Sequence, residues 1–334
     1  MSKRYLTILQ YIFFFSLGVF LVWWSVKDLT NDDKSQIKEA LRTARYLLFI
    51  PVLVILFLSH YIRAVRWKLL IEPLGHNPKV TNTFFAVMIG YLTNLAFPRL
   101  GEVLKCTVLA RYEAISADKL IGTIIIERII DSLSLLAIFG ITVALQPEIY
   151  YQLTDYFFQK SSTAETKSSG YILFLVAGSI VLLAIGIWMI FKKKTFKDLI
   201  SLFRKIVFNV IKGIAVIGRL KKRISFIFLT IILWALYLLG GYIGFFAFKE
   251  TSIYGLKEAF AILSAGSIGM IVTPGGIGAY ALLLEKTMNI LYGLQNSVAL
   301  AFGWLLWIFQ TGVILLGGLF SFVAMPYLNK KKTT

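Results

Sequence analysis

A glutamate, an arginine and an aspartate stand inside an apolar run. They are Glu127, Arg128 and Asp131, within Leu120 to Leu145. Glu127 and Asp131 are four apart and share a helix face, while Arg128 and Asp131 are three apart and can pair. Each such residue costs roughly 2.5–3.5 kcal/mol near a bilayer centre on insertion scales. That expense favours a role against a protein-lined or wet cavity. The plainer reading is an intrahelical ion pair that packs a bundle. Glu127 lies about seven residues into the run, roughly 10 Å deep at about 1.5 Å per residue.

A second set is Pro98-Arg99-Leu100-Gly101-Glu102, followed by Lys105. Pro98 suits the start of a helix. That helix end offers free N–H groups and a positive dipole, both suited to phosphate, and Arg99 adds a bidentate donor. The alternative is a plain cap, with Glu102 complementing the dipole. Asn94 stands just before the turn and can pair either freed backbone groups or a headgroup. The third set is Thr273-Pro274-Gly275-Gly276-Ile277-Gly278. Its glycines allow close approach of backbone to a ligand or of one helix to another. Glu285 follows, beside Lys286, facing cavity or surface. Arg63, Arg66, Trp67 and Lys68 form a basic, aromatic helix end. It reads best as an interfacial anchor whose long side chains snorkel to headgroups. His60 nearby reads as structural, and Trp23 and Trp24 as an aromatic belt.

Two broken segments must position these groups. Phe84 to Pro98 and Phe260 to Pro274 each place a Phe, a Gly and a Pro at the same offsets, and a Gly-bearing turn follows each Pro. Short apolar segments interrupted by Gly and Pro in corresponding halves of a chain point to a transporter-type site at the bilayer midplane. The expected spans are 5–26, 46–70, 120–145, 171–191, 224–248 and 297–325. The broken hairpins are 81–115 and 256–291. A mixed-charge loop runs from Lys27 to Arg45 and a polar loop from Gln146 to Gly170. Lys3-Arg4, the Arg63 group, Lys192 to Arg223 and Lys330-Lys331-Lys332 should all be cytoplasmic. One topology satisfies them: six full spans with two oppositely oriented re-entrant hairpins, an inverted-repeat-like core in a single all-α membrane domain, residues 1–334. Counting each hairpin arm as a span gives up to ten.

Composition requires lipid as solvent. The 334 residues are 58% hydrophobic with mean hydropathy +0.76, whereas soluble domains run nearer ~45–50% apolar. Backbone groups in lipid must be paired internally, so the runs are helices. The alternating ~10-residue segments of a barrel are absent. A net charge of +18 would suit nucleic acid, but the positive charges sit between apolar runs. Lys192 to Arg223 holds eleven Lys/Arg against one acid, Asp198, and suits anionic lipid headgroups or the acidic face of a partner. Cys106 is alone and the histidines are two, His60 and His76. This excludes an internal disulfide and disfavours zinc. No metal or cofactor is expected. Walker A and dinucleotide fingerprints are absent. The first apolar run, Tyr5 to Val26, is too long for a signal peptide core.

Taken in order, Arg66-Trp67-Lys68-Leu69-Leu70, Gly90-Tyr91-Leu92-Thr93-Asn94, Pro98-Arg99-Leu100-Gly101-Glu102, Glu127-Arg128-Ile129-Ile130-Asp131 and Pro274-Gly275-Gly276-Ile277-Gly278-Ala279-Tyr280 resemble the lysylphosphatidylglycerol synthase transmembrane-region family. These are flippase-like integral membrane proteins. The resemblance runs from the first span to Met325. It implies a multi-pass protein of a prokaryotic plasma membrane, with both termini cytoplasmic. In better-understood relatives this region flips lipid and is fused to a soluble aminoacyl-transferase domain. This chain ends at Thr334 without one, so it is expected not to be a synthase. The polar motif residues carried over are Arg99, Glu102, Glu127, Arg128 and Asp131. One departure is Ala281, where the family often has an acid. Glu285, one turn further, is placed to substitute for it.

The expectation is then a lipid translocator. A phosphate headgroup would enter between the hairpins, held by Arg99, Arg128 and the half-helix N-termini. Glu102, Glu127 and Asp131 would tune charge. The rivals are a membrane-embedded transferase using a lipid-linked donor, with the carboxylates as acid and base, and a non-catalytic envelope partner. Its expected associations are membrane lipids, a second copy of itself, or a separate lipid-modifying enzyme.

Overall fold

The computed structural model describes residues 3–97, 100–148 and 220–329, with side chains from Phe15 onward, and isolated positions 204, 208, 215, 217 and 218. The expected span at 171–191, most of Lys192 to Arg223, most of the Gln146–Gly170 loop, Pro98, Arg99 and the terminal lysines lie outside the described residues. Within the described residues the secondary structure is helical, without strands. The α-helices are α1 (Lys3–Val26), α2 (Asn31–Thr43), α3 (Phe49–Ile71), α4 (Val80–Ala96), α5 (Leu100–Glu113), α6 (Ala117–Leu145), α7 (Arg223–Phe245), α8 (Leu256–Val272), α9 (Ala279–Tyr292) and α10 (Asn296–Leu328).

Among the described residues, three stretches are long and apolar enough to cross a membrane: Tyr46–Leu74, which contains α3, then α7 and α10. Their outer faces carry large apolar side chains that no described residue covers. Ile224 is 78% exposed, Leu316 73% and Val323 71%. Water would penalise such a surface and lipid does not. Helix α6 has 29 residues, but it carries the charged group Glu127, Arg128 and Asp131.

Between the first two apolar helices a loop was expected, and the structure holds α2 instead. The Thr30 hydroxyl accepts from the Asp33 N–H at 3.1 Å, and the Asp33 carboxylate accepts from the Thr30 N–H at 2.9 Å. This reciprocal cap satisfies two backbone donors at the helix start. A thin apolar stripe, Ile37, Ala40, Leu41 and Ala44, then docks on the body of the protein. Ser297 at the start of α10 donates to Gln36 at 2.6 Å. The helix was hidden in sequence because its charges outnumber this narrow stripe.

The two broken segments form helical hairpins with matching arms. Helices α4 and α8 have 17 residues each, and α5 and α9 have 14. An arm of that length reaches only about 25 Å at ~1.5 Å per residue, short of the ~30 Å hydrocarbon core. The equivalent glycines Gly90 and Gly266 serve the same purpose, which is close approach of the two arms. A Cβ on Gly90 would come within 2.8 Å of the Gly101 carbonyl oxygen, and one on Gly266 within 2.7 Å of the Tyr280 ring. A Cβ on Gly101 would overlap the Gly90 carbonyl oxygen itself. Backbone on both sides cannot yield as a flexible side chain can. Gly101→Ala is therefore expected to force the first hairpin open and to cost about 3 kcal/mol, the upper end of overpacking penalties. Thermal unfolding in detergent would reveal it. A variant that melts with the wild type would show that the arms do not need this contact.

The hairpin tips meet. Gly275 adopts a left-handed φ of 58°, and a Cβ there would come within 2.5 Å of Leu95 near the end of α4. The indole of Trp307 on α10 donates to the Gly275 carbonyl at 2.8 Å, fixing the second tip. Each hairpin anchors its own apolar core. Phe84, Phe85, Met88, Cys106 and Leu109 pack with Trp67, Ile71 and Ile124. Ala259, Ile262, Leu284 and Met288 pack with Phe49, Phe245 and Phe302.

Candidate functional site

Buried charges converge on one place from three helices. Arg63 and Arg66 come from α3, Glu102 and Lys105 from α5, and Glu127, Arg128 and Asp131 from α6. Arg63 Nη1 donates to Glu127 Oε1 at 2.9 Å and to Asp131 Oδ2 at 2.6 Å. Arg66 Nη2 donates to Asp131 Oδ1 at 2.6 Å and lies 3.5 Å from Glu127 Oε1. Lys105 Nζ donates to Glu127 Oε2 at 3.1 Å. Arg63 also reaches the Tyr237 hydroxyl on α7 at 3.2 Å, and Arg66 reaches Thr230 at 3.3 Å. Side-chain exposure is 0% for Arg66, 1% for Glu127 and 7% for Lys105. Stripping ions of water costs several kcal/mol each, recovered only when geometry and additional hydrogen bonds are good. Here the two carboxylates share three cations.

These contacts correct two expectations. Arg63, Arg66 and Trp67 do not anchor a helix end at the interface, because all three are buried. Trp67 donates to Thr123 on α6 at 2.8 Å, and Lys105 sits 4.7 Å above its ring. Nor does Arg128 pair with Asp131 along one helix. Arg128 Nη2 instead meets Glu102 Oε1 on α5 at 2.6 Å, and Asp131 is taken by the α3 arginines. The side chains in a helix point outward, so a strong partner on a neighbouring helix displaces the local one.

A cavity of about 600 Å³ opens beside this network. Its polar wall is Arg63, Asp131, Glu102 and Arg128, and its apolar wall includes Leu56, Ile262, Met270, Leu306 and Ile314. Asn94 and Gly275 bring both hairpin tips to it. The volume falls in the range of about 300–1,000 Å³ usual for ligand pockets. Glu127, Lys105 and Arg66 are not on the lining; they stand behind the polar wall and hold it. The Arg128–Glu102 pair is the most exposed part of the network, with side chains 45% and 31% exposed. Four cations against three carboxylates leave this group with one excess positive charge.

The remaining sequence-derived candidates divide. Asn94 Oδ1 accepts the Gly101 N–H at 2.9 Å, so its carbonyl caps α5. Gly275 lines the cavity, whereas Gly276 and Gly278 serve packing. A Cβ on Gly276 would come within 2.6 Å of Met270 Sδ, and one on Gly278 within 2.7 Å of the Gly18 carbonyl on α1. Glu285 is buried, accepts from Lys286 at 3.0 Å, and joins neither the charge network nor the cavity lining. Arg99, which falls between α4 and α5 in sequence, lies outside the described residues. Sequence reasoning missed Arg63 and His60. Both line the cavity, and with Arg66 they recur every third residue along α3. That polar stripe within an apolar helix was the available signal.

Residues 8–318 match a family model described as the lysylphosphatidylglycerol synthase TM region. No curated protein and no solved structure matches the chain. With its long apolar helices, the match makes the chain a multi-pass membrane protein with a lipid-related role.

Proposed function

Since the chain belongs to the lysylphosphatidylglycerol synthase TM region family, we propose that it moves a phosphate-bearing lipid from one leaflet of its membrane to the other. The observation that carries this reading is the two-sided cavity between the hairpin tips. A lipid headgroup is polar and its tails are not. A cavity with one charged wall and one apolar wall accepts the first while tolerating the start of the second. The excess positive charge suits a phosphate. Arg128 and Arg63 supply guanidinium donors, which bind phosphate oxygens in a fixed fork. Two hairpins too short to span, meeting tip to tip, fit oppositely oriented re-entrant elements. Rocking of one against the other would expose the cavity to each side in turn. The setting that fits is a prokaryotic plasma membrane with both termini cytoplasmic. Translocation rather than bond-making is the role proposed.

The test is lipid movement in proteoliposomes. Phospholipids fluorescent on an acyl chain are placed in both leaflets, and an impermeant reductant quenches the outer one. Protein-containing vesicles should be quenched beyond the outer-leaflet fraction and empty vesicles should stop at it. Identical quenching in the two, with the protein inserted and folded, would reject translocation and turn attention to transfer chemistry.

A further inference from the structure

Among the described residues, two seams of different chemistry flank the cavity. Helices α6 and α8 both line it, α6 as far as Leu135. Past that point the two close on one another through polar groups. The Thr142 hydroxyl lies 3.1 Å from that of Ser264 and 3.2 Å from the Phe260 carbonyl oxygen. The Gln146 amide donates to the Lys257 carbonyl at 2.7 Å, and its oxygen accepts from the Tyr292 hydroxyl on α9, also at 2.7 Å. One helix end thus holds both arms of the second hairpin, and Thr142, Gln146 and Ser264 are buried there. Helices α4 and α10 also line the cavity, α10 as far as Ile314, and then close through apolar groups. A Cβ on Gly317 would come within 2.6 Å of Met88, and one on Gly318 within 2.6 Å of Leu92. Met325 is fully buried, and reciprocal bonds between Asn82 and Asn329, 3.0 and 2.8 Å, finish this seam. The seams lie at opposite ends of the protein. Helix α10 begins just after Tyr292 and has 33 residues, so it runs roughly 50 Å before it reaches Asn329.

The two seams differ in what is lost when they part. Separating packed apolar side chains forfeits their contacts. Separating hydrogen-bonded side chains exchanges one polar partner for another once water enters, so the net loss per bond is small. The α6–α8 seam is the easier to open and to close again. Helix α6 is meanwhile tied to α3 and α5 by the ion pairs of Glu127, Asp131 and Arg128. It therefore stays with the first hairpin when the second moves. We propose that the α6–α8 seam is a gate: the second hairpin leaves α6 at Thr142 and Gln146 and opens the cavity toward the face where α6 ends, while the α4–α10 seam stays shut. This rests on the cavity being the lipid site described above and names the contacts that break for access from one side.

The test has two arms, both on the full chain. Nitroxide labels on Glu148→Cys and Lys257→Cys, two exposed positions, report the separation across the seam by pulsed electron resonance in nanodiscs. Cys106 is fully buried and stays in place. The labelled chain should show a short and a longer separation. Adding Gln146→Leu should raise the longer over the shorter by about tenfold, the order expected for the hydrogen bonds it removes. In the second arm Thr142→Cys/Ser264→Cys, whose native hydroxyls lie 3.1 Å apart, is oxidised to a disulfide in proteoliposomes. Lipid movement should stop, and a permeant thiol should restore it. Movement is read here by albumin extraction of outer-leaflet lipid, because the impermeant reductant would attack the disulfide. If the cysteines do not join, the separations decide alone. A single separation that Gln146→Leu leaves unchanged would overturn the gate whether or not lipid moves. A joined protein that moves lipid as fast as the reduced one would overturn the gate and leave translocation standing. Separations that respond to Gln146→Leu in a protein that moves no lipid would keep the gate and overturn translocation.

Discussion

Glu127→Gln should lower the stability of the folded protein by about 3–5 kcal/mol, the cost of removing one partner from a buried ion pair. Its carboxylate is 1% exposed and lies within 3.5 Å of Arg63, Arg66 and Lys105. Without its charge, the three cations would be left with Asp131 alone, which Lys105 does not reach in the present arrangement. Thermal or denaturant unfolding in detergent gives the direct reading. The double variant Glu127→Gln/Lys105→Met removes one charge of each sign and should recover part of the loss. Because Glu127 stands behind the cavity wall, the recovered double variant should also still move lipid. From sequence alone Glu127 was instead expected among the residues that tune charge at the headgroup itself. A stable Glu127→Gln protein that moves nothing would restore that view and place the carboxylate on the path.

Arg128→Gln should reduce movement of an anionic phospholipid by about tenfold or more while leaving the fold nearly unchanged. The first part follows because hydrogen bonds to a charged group are worth about 1.5–3 kcal/mol, and Arg128 lines the cavity. The second follows because its pair with Glu102 is partly exposed, at 45% and 31%, and such pairs contribute under ~1 kcal/mol. Arg128→Lys should keep part of the activity, since it keeps the charge but loses the planar fork. A zwitterionic lipid should be affected less than an anionic one. The proteoliposome assay with the two lipid types measures all of this. Unchanged movement of the anionic lipid by Arg128→Gln would remove the arginine from the headgroup site.

The chain's own letters determined that this is an all-helical membrane protein, because 58% apolar residues leave too much surface for a soluble core and lipid permits only internally paired backbone. They also located both hairpins, because in each a Pro followed by a Gly-bearing turn ends an apolar run, and that combination readily breaks a helix. The repeated Phe, Gly and Pro spacing marked the two as equivalents. The importance of Glu127 and Asp131 was legible too, since charge inside an apolar run is expensive in any fold. Their partners were not. Arg63 lies 64 residues from Glu127 and 68 from Asp131, and Arg66 lies 65 from Asp131. Helical periodicity orients a side chain on its own helix only. Which faces of α3, α5 and α6 turn toward one another is decided by how the apolar cores on either side pack. That packing buried the α3 arginines, gave Arg128 to Glu102 instead of Asp131, and drew Glu127 behind the wall.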